Sequence, residues 1–322
     1  MGVEIKIAMT LVLVAIAMLV LFSVVFFLRP LAIIVWFRRS ALRRAGCQKS
    51  KISTSVGEQT VWHGGAGPVL LLLHGAGDQA GTWNKVAPDL RHGYSLLIPD
   101  LAGHGESEPR DGALSIGTVL NALEQVCDAV LRPNATVVIV GNSFGAWMAM
   151  LYAQKHPHRV TRVVLIGGGP VKGVTQMGLM PQDRAEARRI MDAVLDPSSP
   201  RPPGFVLDDL VRISNSGSIS RLMAAGAEDM AKYLLEDKLA SFELPVDLIW
   251  GGSDRLVPLD YAKKLQSQLP RCTLTVVERC GHAPQLERPR EFTRVLLEIL
   301  ASEPARVQAS KPAASVPFAE NT

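Results

Sequence analysis

Residues Ile7 to Leu28, IAMTLVLVAIAMLVLFSVVFFL, run for 22 positions without a charge. As a helix the run reaches about 33 Å, enough to cross a hydrocarbon core of about 30 Å. Only a helix can hold it there, because lipid offers no partner to a backbone N–H or C=O. A core helix of a soluble domain would show a polar stripe, and this run has none. It is also longer than the apolar core of an ordinary signal peptide, and no small-x-small cleavage pattern follows it. The run is therefore expected to be a single membrane-crossing anchor, with the lipid bilayer as partner. Pro30 interrupts it, and LAIIVWFRRSALRR (31–44) follows. That segment is too short to span again, and its Trp36 and Phe37 beside arginines suit a membrane interface.

Charge sets an expected orientation. Before the span Glu4 and Lys6 cancel, whereas Arg29, Arg38, Arg39, Arg43 and Arg44 fall within 16 positions after it. The positive-inside rule then puts the large C-terminal part in the cytoplasm. Four cysteines, at 47, 127, 272 and 280, show no metal-ligand spacing. Cys272 and Cys280 flank a strand-like run that would hold them too far apart to bridge. All four are read as reduced thiols, which agrees with that compartment. Elsewhere the charges are mixed and the net charge is only +4, so no nucleic-acid surface is expected.

Beyond Arg44 apolar runs alternate with helix-like stretches. Strands are expected at VLLLLH (69–74), SLLIPD (95–100), TVVIVG (136–141), RVVLIG (162–167), VDLIWG (246–251) and LTVVE (274–278). Their near-continuous hydrophobicity fits parallel strands covered on both faces. Helices are expected between most of them, as at Thr118 to Leu131 and Leu259 to Leu269. The alternation predicts an open, mostly parallel α/β sheet with helices on both faces. Residues 171–243 hold no strand candidate and are too many for a loop, so they are read as an inserted helical cap. The domains are then an anchor with its basic segment at 1–46, an α/β domain at 47–302, and a disordered tail at 303–322 rich in Ala, Pro and Ser.

Within VVIVGNSFGAWMAM (137–150), GNSFG sits where a strand gives way to a helix. G-x-S-x-G at such a junction forces a tight turn that holds the serine hydroxyl above the sheet edge. The following helix points its N-terminus at the site, where free N–H groups favour developing negative charge. Ser143 is thus a candidate nucleophile, and the N–H of Phe144 a candidate oxyanion donor. A serine hydroxyl needs a base, and the base needs an orienting carboxylate. Both must come from the same sheet edge. Asp254 follows VDLIWGGS and His282 follows LTVVERCG, each just past a strand. One helix and one strand separate them, so they should stand on neighbouring strand ends. Asp254 could otherwise serve as a cap for the helix starting near Pro258.

The order of these motifs resembles the α/β-hydrolase family over roughly residues 55–301. The resemblance is carried by LLLLHGAG (70–77), PDLAGHGES (99–107), VGNSFGAW (140–147), WGGSD (250–254) and CGHAPQLERP (280–289). It is greatest to the branch with a helical cap before the acid-bearing strand, which includes monoacylglycerol lipases and small esterases. The resemblance implies a serine hydrolase with a Ser143, Asp254 and His282 triad, and Ala76 as the second oxyanion donor. It implies no metal and no cofactor. With the anchor, the expected substrate is a small lipophilic ester. GGGP (167–170) lacks the acid that some members place there, which favours Asp254. His74 is expected to shape the oxyanion loop and His104 to be structural, while His63, His92, His156 and His158 are read as surface residues. Met177 and Met180 are read as cap-core side chains.

Gly75, Gly77 and Ala80 imitate a G-x-G-x-x-A dinucleotide loop, and Asp100 ends the next strand. That reading leaves GNSFG, Asp254 and His282 unexplained, and Gly81 is a poor start for a phosphate-binding helix. A non-catalytic binding protein on a hydrolase scaffold would not need all three residues. An esterase or thioesterase for soluble substrates shares the triad and differs only in substrate.

Overall fold

The computed structural model describes residues 2–173 and 178–302; Met177 and the tail expected at 303–322 lie outside the described residues. Helix α1 (Gly2–Leu28) extends the uncharged run to the N-terminus, with its side chains exposed along nearly all its length. Among the described residues it is the one helix long and apolar enough to cross a membrane. Pro30 has no N–H to continue that helix, and it opens α2 (Pro30–Arg44) at the first-turn position where the missing donor costs nothing.

The domain begins with a hairpin, β1 (Gln48–Thr54) and β2 (Gly57–Gly64), that hydropathy did not reveal. Strand β3 (Val69–Leu73) leads into a 3-10 turn at Ala80–Trp83, α3 (Ala87–Leu90) and β4 (Ser95–Pro99). Then come α4 (Ile116–Val130), β5 (Val137–Asn142), α5 (Phe144–Lys155) and β6 (Val160–Ile166). Four helices fill the next interval: α6 (Arg184–Val194), α7 (Gly204–Ser216), α8 (Ser218–Ala224) and α9 (Ala227–Lys232). The chain finishes with β7 (Val246–Gly251), α10 (Leu259–Gln268), β8 (Cys272–Val277), α11 (Pro284–Glu287) and α12 (Pro289–Ala301).

The eight strands form one sheet in the order β1-β2-β4-β3-β5-β6-β7-β8. β1 and β2 are antiparallel, and β3 through β8 run parallel. This is the mostly parallel, doubly covered sheet with a helical cap that the resemblance implied. The apolar runs serve both faces. Leu71, Leu73 and Ile139 pack on one side with α4, α5 and α10, while Leu70, Leu72 and Val140 pack on the other with α3 and α12. β5 is buried at every position and lies mid-sheet, so whatever follows it emerges at the centre of the C-terminal edge.

Two expectations change. His63 is not a surface residue: it lies in β2 with 7% exposure, and its Nε2 meets Ser50 Oγ at 2.9 Å. β2 is covered because it pairs on both sides, with β1 and β4. The segment at 31–44, expected at a membrane interface, also packs into the domain. Leu42 is fully buried in the domain core and Arg39 pairs with Asp100, while Trp36 and Phe37 stay exposed.

Candidate active site

The turn at Ser143 is as tight as the motif demands. β5 ends at Asn142 and α5 begins at Phe144, which leaves Ser143 alone to reverse direction at φ 56° and ψ −116°. A non-glycine residue there costs on the order of 1–3 kcal/mol and persists only where its surroundings hold it. Here the Ser143 N–H donates to Ile166 O at 2.7 Å. The flanking glycines answer to space. A Cβ on Gly141 would lie 2.3 Å from Gly145 O, and one on Gly145 would lie 2.4 Å from Leu73 O.

Asp254 follows β7, and its carboxylate is held by both oxygens. Oδ1 accepts from the N–H groups of Leu256 (3.0 Å) and Val257 (2.9 Å), while Oδ2 accepts from His282 Nδ1 at 2.8 Å. It does not cap α10, whose N-cap is Pro258. Both side chains are withdrawn from water, His282 at 8% exposure and Asp254 at 0%. An ionised carboxylate can only accept, so Nδ1 carries the proton and Nε2 is left as the basic nitrogen. That Nε2 is buried without a hydrogen-bond partner, so the bond to the serine hydroxyl is not made in this state. Such bonds commonly tighten only when substrate is bound.

The ring and the serine both approach the same short backbone stretch: a Cβ on Gly167 would lie 2.9 Å from His282 Nδ1, and one on the adjacent Gly168 would lie 2.7 Å from Ser143 Cα. The GGGP segment admits both because it has no side chains there. Asn142, the residue before the nucleophile, donates from Nδ2 to His282 O at 3.1 Å and to Ile166 O at 3.2 Å. Gln285 Nε2 donates back to Asn142 Oδ1 at 3.2 Å. This bracket was missed in the sequence.

The loop after β3 comes against the same serine: a Cβ on Gly75, the residue before Ala76, would meet Ser143 Cβ at 3.2 Å. His74 holds the loop as expected: its Nδ1 bonds Gly75 O at 2.8 Å and its Nε2 accepts from Leu101 N–H at 2.9 Å. The Phe144 N–H opens α5 and, as a first-turn donor, has no helical carbonyl to bond. His104 stacks on the Phe144 ring at 5.9 Å, with Nδ1 on Ala102 O. Burial, then the nearby His74, pushes its pKa down to about 3, so its ring is uncharged.

The cap reaches all of these loops. Ile219 of α8 lies where a Cβ on Gly77 would come within 2.7 Å. Ala193 O accepts from the Arg255 and Leu256 N–H groups, and Val194 O from His282 N–H at 2.7 Å. Just beyond α6, Asp196 accepts from Ser253 Oγ at 2.5 Å, and Glu287 accepts from Asp196 N–H and Gly281 N–H. An open groove of about 530 Å³ between Asp89 and α12 contains none of the candidate residues.

The dinucleotide reading fails on geometry. A short 3-10 turn at Ala80–Trp83 and the four-residue α3 follow Gly77 in place of a long helix, and Asp100 is spent within the protein, accepting from Ala80 N–H and Glu106 N–H.

The family model described as "Alpha/beta hydrolase family" matches residues 70–295. A 2-hydroxy-6-oxononadienedioate/2-hydroxy-6-oxononatrienedioate hydrolase of Cupriavidus pinatubonensis is 29% identical over 269 residues, 74% of this chain and 89% of that one. A human monoacylglycerol lipase is 23% identical over 259 residues, covering 73% and 76%. Among solved structures, a bacterial membrane phospholipase A superposes with a TM-score of 0.72 at 24% identity, covering 91% of this chain and 98% of that one.

Proposed function

The chain belongs to the alpha/beta hydrolase family, and on that premise we propose that it is a membrane-anchored serine hydrolase of lipophilic carboxylic esters, such as monoacylglycerols. The observation that carries the reading is the Asp254–His282 pair at 2.8 Å, whose ring approaches the same Gly167–Gly168 backbone as a serine held at positive φ. In this mechanism Ser143 Oγ attacks the acyl carbonyl carbon while its proton passes to His282 Nε2. Asp254 stays ionised, orients the ring and stabilises the imidazolium. The N–H groups of Ala76 and Phe144 hold the oxyanion of the tetrahedral intermediate. The intermediate collapses, the alkoxide leaves with the proton from Nε2, and an acyl-serine remains. Water then loses a proton to the same nitrogen and attacks the acyl-serine carbonyl; the second tetrahedral intermediate collapses as Nε2 returns that proton to Ser143 Oγ, which releases the acid and restores Ser143.

Several features support a lipophilic substrate. α1 is exposed and apolar, as a bilayer anchor would be. The flank of Ser143 offers the apolar side chains of Phe144 and Ile219 and an uncharged His104. The arginines at 29, 38, 39, 43 and 44 support a single-pass topology with the catalytic domain in the cytoplasm.

The test is Ser143→Ala in the full-length protein. Hydrolysis of a butyrate ester should fall by at least about 10³-fold, and fluorophosphonate labelling should vanish while thermal unfolding is kept. Undiminished hydrolysis by the variant would overturn the assignment.

A further inference from the structure

Helix α2 grips the active-site loops from behind. The Arg39 side chain is 15% exposed. Its Nε donates to Gln79 Oε1 at 3.1 Å and its Nη2 to Asp100 Oδ2 at 3.0 Å, while Nη1 pairs with Glu106. Next to it Arg38 lies 3.7 Å from Asp78. Each partner in turn holds loop backbone. Gln79 Oε1 accepts from Gly81 N–H at 2.7 Å, and Asp78 Oδ1 accepts from Gln79 N–H at 2.9 Å. Asp100, whose side chain is fully buried, accepts from Ala80 N–H and Glu106 N–H at 2.7 Å each. Gly81 registers how closely α2 presses: a Cβ there would lie 2.6 Å from Gln79 Nε2 and 2.9 Å from Arg38 Cβ.

We propose that Arg39 is a positioning residue of the hydrolytic reaction: from the helix next to the anchor, through Gln79 and Asp100, it fixes the loop that presents Ala76 N–H to the oxyanion. The proposal rests on the reading of Ser143 and Ala76 given above. An oxyanion donor works only if it is already aimed when charge develops. The loop from His74 to Gly81 is anchored at its start by His74 and at its far end by the Arg39 network, with Ala76 between. The planar fork of arginine reaches separate acceptors at once; a lysine ammonium would reach fewer in fixed geometry. The buried Asp100 carboxylate also has its charge answered by this guanidinium, so the loop carries no unpaired charge to relax around.

The experiment compares full-length Arg39→Met, Arg39→Lys and Gly81→Ala with the parent on a soluble butyrate ester. Active sites are counted by the endpoint of fluorophosphonate labelling, and thermal unfolding is recorded alongside. A displaced loop should lower kcat per labelled site by about tenfold in Arg39→Met with KM little changed. Arg39→Lys should fall between that variant and the parent, and Gly81→Ala should shift kcat in the same direction. A purely structural role would reduce the labelled fraction and the unfolding temperature but leave kcat per labelled site alone. A kcat per labelled site within about twofold of the parent in both Arg39→Met and Gly81→Ala would overturn the proposal. If Arg39→Met yields no labelled protein, Arg39→Lys and Gly81→Ala decide by the same measure. Activity surviving in Ser143→Ala would instead remove the hydrolase reading beneath it.

Discussion

Ser143 combines an unfavourable backbone with a favourable location, and its neighbours supply what makes that possible. Gly141, Gly145 and Gly168 are glycines because backbone lies within 2.3–2.5 Å of where their Cβ atoms would be. That spacing was legible: G-x-S-x-G, and an acid and a histidine each just past a strand, are local patterns whose chemistry follows from residue type. The Asn142–Gln285 bracket was not legible, because the two stand 143 positions apart and neither type announces a partner at that distance. His63 was misread for a related reason: next to Gly64 and Gly65 it looks like a loop residue until the strands paired on either side of it, β1 and β4, are known. Burial lowers the His63 pKa from 6.5 to about 4, and His104 falls further, to about 3. Both rings are neutral in the fold and take up protons when the chain unfolds below about pH 6.5. The unfolded state then binds more protons, so stability falls as pH falls from 6.5 toward 4, by up to about 1.4 kcal/mol per pH unit for each ring. Thermal unfolding between pH 7 and pH 4 should show this loss, and His63→Gln should reduce the slope in that window. An unchanged slope in the variant would assign the acid sensitivity to other groups.

The elements divide by how they announce themselves. Strands β3 to β7 were visible because burial on both faces makes them largely apolar, β8 because its edge position still keeps Leu274, Val276 and Val277, and the helix-rich cap was visible as the absence of such runs. β1 buries none of its residues fully, so QKSKIST gave no hydrophobic signal for a strand. The joint between cap and site was equally silent, since it runs through backbone carbonyls and short polar side chains. Ala193 and Val194 end α6 by accepting N–H groups from the loops that carry Asp254 and His282. Asp196 then clamps the same corner: Ser198 and Ser253 donate to it and hold its carboxyl down to about 2, so it is charged throughout the working pH range. The cap therefore bears on the orientation of the loops that carry Asp254 and His282. Asp196→Ala leaves the Ser253 hydroxyl and the Ser198 N–H without their acceptor, a cost of about 1–3 kcal/mol in stability. With Asp254 less firmly set, kcat on a soluble ester should also drop by about tenfold. Calorimetry and active-site-titrated kinetics on the one variant separate the two effects. Lost stability with unaltered kcat would confine the clamp to folding.

At the scale of the whole molecule, α1, the cap and the sheet are joined through one corner. Phe205 of α7 packs on Phe26 and Phe27 near the end of α1, with ring centroids 5.5 and 5.3 Å apart. Asp209, also in α7, accepts from Leu31 N–H at 3.0 Å where α2 begins, and it pairs with Arg212. The cap therefore stands at the foot of the apolar helix rather than on the opposite side of the domain. If α1 lies in a bilayer, the cap meets the membrane surface, and the exposed Trp36 and Phe37 mark the same level. Tethering raises the local concentration of an ester that partitions into that surface, whereas a soluble ester gains nothing from it. The full chain and a chain beginning at Pro30 should then differ by substrate. The shorter chain must keep α2, because Leu42 is buried in the core and Arg39 holds Asp100. On a long-chain monoacylglycerol in vesicles, loss of α1 should reduce the rate by tenfold or more, roughly the low end of what tethering supplies. On a soluble butyrate ester the two chains should agree to within about twofold. An equal loss on both substrates would assign α1 to stability rather than delivery. A soluble ester that the full chain prefers whether or not α1 is present would remove the lipophilic assignment while leaving the triad intact.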